Sequence, residues 1–213
     1  MILCQVISSS EIFNKTIADR LPNCKQVSPE NCLLLGAAIG TASIEPLLNQ
    51  HAGVLRNMKD NLRSIFRQDA LTLLRLSLGH PRSMYILRTG PCFFTDAGID
   101  NLDAALREVC SDCFCLPFDG DSWARATLPP NSGGIGLRSA RDTALPAFIS
   151  SVIGSKTLAD RICGNVPDFT FNVSSRSWLI VANADQPPEI ARERVSTWLE
   201  PLLQKKGHRS KPH

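Results

Sequence analysis

Long hydrophobic runs are missing from this chain: no apolar stretch approaches the roughly 20 residues that cross a bilayer, so no membrane partner is expected. No leader is expected either. The opening residues Met1-Ile2-Leu3-Cys4-Gln5-Val6-Ile7 carry no basic region, and Ser8-Ser9-Ser10 cuts their apolar run short, unlike a secretory signal. The eight cysteines are therefore expected as free thiols of an intracellular protein, in the cytoplasm or nucleus. A strong charge of one sign is also lacking: the formal net charge is +3, too small to establish a nucleic-acid partner unless the cations cluster. There is no internal repeat or low-complexity tract. What remains is 213 residues with 43% hydrophobic and 20% charged content, an ordinary globular composition long enough for one good-sized domain or two small ones.

Motifs that could carry chemistry are incomplete. Gly133-Gly134-Ile135-Gly136 is not followed by Gly-Lys-Ser/Thr and has no buried strand before it, so it is expected to be a tight turn between helices, not a phosphate loop. Cys110, Cys113 and Cys115, with Cys92 as a remote fourth ligand, would give only one cysteine knuckle. A zinc site usually needs four ligands held by compact turns, often in two paired knuckles, and the first cysteines fall on a helical face, so buried thiols and no metal are expected. Asp119-Gly120-Asp121 lacks the further acids of a calcium loop and is expected to form a turn and helix cap. The four histidines are scattered, and His51 falls on an apolar seam where a packed ring is the simpler expectation. Trp123, Trp178 and Trp198 sit among apolar neighbours as core anchors. No cofactor and no small-molecule substrate is evident.

The pattern predicts a mainly α protein with a small β element at the N-terminus. Within residues 1–42, two short apolar runs (4–7 and 32–35) are predicted as strands, with a helix between them opened by the capping-box spacing of Ser8 and Glu11. Residues 43–118 are predicted helical. One helix over 43–67 has an inner face that includes Ile44, Leu48, Leu55, Leu62, Ile65 and Phe66. A leucine-rich run stops at Gly79-His80-Pro81, and a long helix turns Ile99, Leu102, Leu106, Val109, Cys110 and Cys113 inward. Residues 119–204 are helical but more broken: Asp121 or Ser122 caps the Trp123 helix, Pro146 kinks or splits the next, and 164–187 has no clear pattern. Residues 205–213 are expected to form a basic, mobile tail.

One charge pattern stands out. Between Arg56 and Arg88 seven basic residues face only Asp60 and Asp69. Arg56, Lys59, Arg63 and Arg67 are three or four residues apart, which predicts one helix face away from the apolar seam. Such a row, continued by Arg75, can follow a phosphate backbone, or it can be a solvated face that keeps the helix soluble.

Residues 121–140, with Trp123, Leu128-Pro129 and then Gly133-Gly134-Ile135-Gly136-Leu137-Arg138-Ser139-Ala140, resemble the segment that follows the polymerase core in LINE-type (non-LTR) retrotransposon reverse transcriptases. Leu33-Leu34-Leu35-Gly36-Ala37-Ala38-Ile39-Gly40 is similar to the family's strand and turn at the end of the palm. Residues 69–75, 78–92, 144–151 and 198–201 continue the likeness, so it spans about residues 30–204. The resemblance implies a palm-end remnant (1–42), a multi-helical thumb-like region (43–118) and a downstream helical region (119–204). It implies a template–primer partner, an RNA/DNA or DNA duplex held by Arg56, Lys59, Arg63, Arg67 and Arg75, with Leu35, Gly36 and Gly40 forming a turn near the primer end. The family's chemistry needs a trio of metal-binding aspartates with a paired Asp-Asp, and no Asp-Asp occurs here. Duplex binding without polymerase activity of its own is the resulting expectation. The rival expectation is a helical interaction module or relic with no nucleic-acid role, which would leave an apolar patch at 33–39 for a missing palm or a second copy. A subunit completed by a separate palm chain is a third.

Overall fold

Ile44, Leu48, Ala52 and Leu55 recur at helical spacing, and all are buried on one face of helix α1 (Ile44–Asn57). That face packs along the longest apolar stripe of the chain, Ile99, Leu102, Leu106, Val109, Cys110 and Cys113 on α5 (Asp96–Phe114). The α1–α5 pair is the principal helix contact and the centre of the main core. The computed structural model describes residues 5–7, 25–38, 40–164, 169–182, 184–189 and 192–209. The protein is mainly helical, with a small β element near the N-terminus.

The β element differs from expectation in its pairing. Strand β1 (Gln5–Ile7) lies parallel to β2 (Lys25–Val27), a segment the apolar pattern did not mark. The run at 32–35 instead folds into a hairpin, β3 (Leu33–Leu34) against β4 (Ala37–Ala38). The helix expected between Ser8 and Asp19 lies outside the described residues.

The single helix expected over 43–67 is three pieces: α1, then α2 (Lys59–Arg63), then α3 (Arg67–Leu73). At Met58 the N–H turns back to Leu55 O at 3.2 Å, and at Ser64 the hydroxyl donates to Asn61 O at 2.7 Å. Short polar side chains such as Ser64 compete with the helical ladder in this way. Phe66 is extended, and it and Ile65, expected on the inner face, are exposed. A π-helical turn (Leu74–Leu78) follows α3 and ends at Gly79, whose N–H reaches Leu74 O at 3.1 Å. A Cβ on Gly79 would lie 2.5 Å from that oxygen, so only glycine fits. Helix α4 (His80–Thr89) starts at once. The expected stop signal is therefore a one-residue junction between helices.

Asp119, not Asp121 or Ser122, caps α6 (Gly120–Ala126), accepting from Ser122 N at 2.7 Å. The segment from Gly133 to Gly136 is the turn its composition predicts, with left-handed backbone at both ends and Gly136 N donating to Leu128 O at 3.0 Å. Helix α7 (Ala140–Cys163) runs through Pro146 without a break. Every residue from Thr143 to Ser150 is buried there, and packing on both sides outweighs the lost backbone bond. Helix α4 packs on one side of α7, while α8 (Phe169–Ala182) and α9 (Val195–Arg209) pack on the other. Leu137, Ala140, Ala144 and Ala147 belong to the same core as α1 and α5, so the main core draws on both sides of the 118/119 boundary. A second core joins Leu145 and Ile149 to Trp178 and Trp198. The two indoles meet edge-on, centroids 5.1 Å apart, and the N–H of Trp178 donates to Trp198 O at 2.8 Å. Lys205 and Lys206 are part of α9 and not of a mobile tail. Lys206 Nζ is held by Asp142 at 2.7 Å and Thr127 Oγ1 at 2.8 Å. Residues 210–213 lie outside the described residues.

Candidate nucleic-acid interface

The break after α1 divides the basic row. Arg56, near the end of α1, turns toward α5, where its Nε meets Glu108 Oε2 at 2.8 Å and its second nitrogen donates to Asn101 at 2.9 Å. Lys59, opening α2, pairs with Asp112 one turn further along α5. These two cations bridge helices and do not stand out from them. Arg63 and Arg67 are exposed and meet no carboxylate among the described residues; Arg67 reaches only the Cys115 sulfur, at 3.8 Å. Arg75, on the π turn, is also exposed. Its guanidinium lies against Gly136, where a Cβ would approach Nε and Nη2 to 3.0 Å. The Gly136 turn thus packs against the Arg75 side chain, a link between two motifs that the sequence shows only separately. Arg82 and Arg88 on α4 and Arg138 before α7 are exposed as well.

The expected primer-proximal turn is the hairpin tip. Leu35 (φ 51°) and Gly36 (φ 81°) are both left-handed, as a two-residue hairpin of this twist requires. Glycine is suited to that conformation and leucine is not, which places strain of about 1–2 kcal/mol at Leu35. Tyr85 Oη on α4 donates to Leu35 O at 3.1 Å and holds the tip in place. Leu35 is 88% exposed. Gly40 is buried behind it, and its N–H donates to Cys32 O at 3.2 Å.

Among the described residues no group of three or more His, Cys, Asp or Glu is placed to hold a metal. Cys92 and Cys110 are buried free thiols that burial pushes up to about 12, and Cys113 is raised in the same way, so all three stay protonated and inert. No helix is long and apolar enough among the described residues to cross a membrane.

Sequence reasoning missed a cleft. His51 of α1, His80 and Arg82 of α4, Asp103 of α5 and Arg138 before α7 converge there. His80 is lowered to about 4, first by burial and then by the Arg138 charge; His51 is lowered by burial and by Arg82. Asp103 is raised by burial, against hydrogen bonds from Ser139 Oγ (2.5 Å) and the N–H groups of Ala140 (2.6 Å) and Arg141 (3.2 Å). It serves as the second cap of α7, beside Ser139. No protein-family model, curated protein or solved structure matches the chain.

Proposed function

We propose that this chain binds a template–primer duplex, RNA/DNA or DNA, through its backbone phosphates, as the thumb-like and downstream part of a LINE-type reverse transcriptase would, and that it supplies grip without polymerase chemistry of its own. One observation carries the reading: Arg63, Arg67 and Arg75 are exposed cations with no carboxylate among the described residues. Contacts of this kind position a duplex without reading its sequence. Arg56 and Lys59 contribute only if the duplex draws them from Glu108 and Asp112.

Anisotropy of a labelled RNA/DNA hybrid, titrated at several salt concentrations, tests the reading. Binding is expected at about 50 mM salt, and Arg63→Ala/Arg67→Ala/Arg75→Ala should lower the slope of log K against log salt by roughly 2–3. No binding by the wild-type chain at that salt would sink the reading. The hairpin supports the rival, an interaction module. Leu33, Leu34 and Leu35 are 41%, 52% and 88% exposed on a strained turn, an apolar tip at the place where a palm or a second copy would pack. Concentration-dependent self-association that Leu34→Ser/Leu35→Ser abolishes, with no hybrid binding, would favour it.

A further inference from the structure

The cleft between α1, α4, α5 and the segment before α7 holds buried polar groups that have no partner among the described residues. His80 is only 7% exposed, and neither of its ring nitrogens has a hydrogen-bond partner among the described residues. A buried donor left in that state costs about 1–3 kcal/mol, so a group that satisfies it is favoured. His51 faces the same space with a buried, unpartnered Nδ1. Arg82 and Arg138 stand at the exposed rim, without a carboxylate among the described residues. The N-terminus of α4, a helix of 10 residues with no side-chain cap, opens beside them and adds its positive dipole end. Asp103, the one acid lining the cleft, has both oxygens occupied by Ser139, Ala140 and Arg141. The cavity volume is about 10 Å³, room for a single water-sized atom, so only part of a ligand can enter.

We infer that this cleft binds a tetrahedral oxyanion of the phosphate class, with one oxygen inserted beside His80 and His51 and the others held at the rim by Arg82 and Arg138. The donor set suits an acceptor-only ligand. Two guanidinium groups and one N–H from each neutral imidazole meet it, and the carboxylate that lines the cleft is turned away toward α7. The inference is independent of duplex binding, because Arg63, Arg67 and Arg75 are not part of the cleft. The same chemistry could come from free phosphate or from a phosphodiester of a strand.

Inorganic phosphate, titrated against the full chain and followed by the imidazole resonances of its four histidines, tests the site. Saturable shifts confined to His51 and His80 are expected, with half-saturation at or below about 1 mM. Phosphate should also raise the pH at which both rings protonate, since an anion favours imidazolium over imidazole. Arg82→Ala/Arg138→Ala, both at exposed positions, should weaken binding at least about tenfold. Arg161→Ala, exposed near the far end of α7, should leave it unchanged. A short single-stranded oligonucleotide that displaces phosphate identifies a strand as the source; one that does not identifies the free ion. No saturation up to about 10 mM phosphate, or equal saturation in the double variant, overturns the site, while Arg63→Ala/Arg67→Ala/Arg75→Ala should leave phosphate binding intact whatever the fate of the duplex reading.

Discussion

Arg56 and Lys59 on the α1–α2 edge and Arg82 and Arg138 around the cleft carry the same charge but meet opposite surroundings. The first pair reaches across to Glu108 and Asp112, and each charge is answered within the fold. The second pair looks onto His51 and His80, and the one carboxylate lining the cleft among the described residues is committed to capping α7. A paired cation holds helices together at modest value, while an unpaired one raises the local potential and depresses every base within its field. Burial is the main reason that His51 and His80 are lowered, and the Arg82 and Arg138 charges add to it. The fold thus has a neutralised edge and an electropositive cleft.

Acid gives the largest test of this contrast. His80 protonates in the unfolded chain at its ordinary value of 6.5 but in the fold only at about 4. The unfolded state therefore binds more protons across that window. The stability that depends on a neutral His80 is complete above 6.5 and is lost as pH falls through about 4, up to about 3 kcal/mol. Urea unfolding at a series of pH values should show the decline, and His80→Gln should flatten most of it. An unchanged pH profile in that variant would place the acid sensitivity elsewhere.

Much of the helical frame was legible because one-sided periodicity survives in single stretches of chain. The six residues expected to face inward on α5 are all buried, and so are Ile44, Leu48 and Leu55 on α1. Helix α8 escaped detection because its buried positions include Ser174 and Ser175, so polarity hid the stripe; its anchor, Trp178, packs against residues distant in sequence, Leu145 and Ile149 of α7 and Trp198 of α9. The neutralised edge left a signal that could have been used: Glu108 and Asp112 are four residues apart on the same helix, the spacing needed to answer Arg56 and Lys59. The cleft left none. His80 reads as part of a stop signal, and only the π turn and the Gly79 junction bring it to His51 and Arg138.

A smaller effect is expected where the two regions connect. Gly136 is left-handed (φ 76°), with the Arg75 guanidinium against it. Gly136→Ala forces a Cβ into an unfavourable conformation and against that side chain, which should cost about 1–2 kcal/mol in chemical denaturation. If Arg75 touches the duplex, the same variant should also weaken hybrid binding. A stability loss with unchanged hybrid affinity would make Arg75 a structural partner of the turn only.

The paired edge can be converted into an unpaired one. Glu108→Gln/Asp112→Asn removes both carboxylates while keeping their shape, and these are half-buried surface pairs, so stability should change by less than about 1 kcal/mol. Arg56 and Lys59 are then available to phosphate. If the duplex runs along α1–α2, hybrid affinity should rise and the salt slope should steepen by roughly 1–2. An unchanged slope would confine the duplex path to Arg63, Arg67 and Arg75 and leave the α1–α5 ion pairs as a purely internal clasp. The outcome therefore decides whether the basic row acts as one surface or as two regions with different work to do.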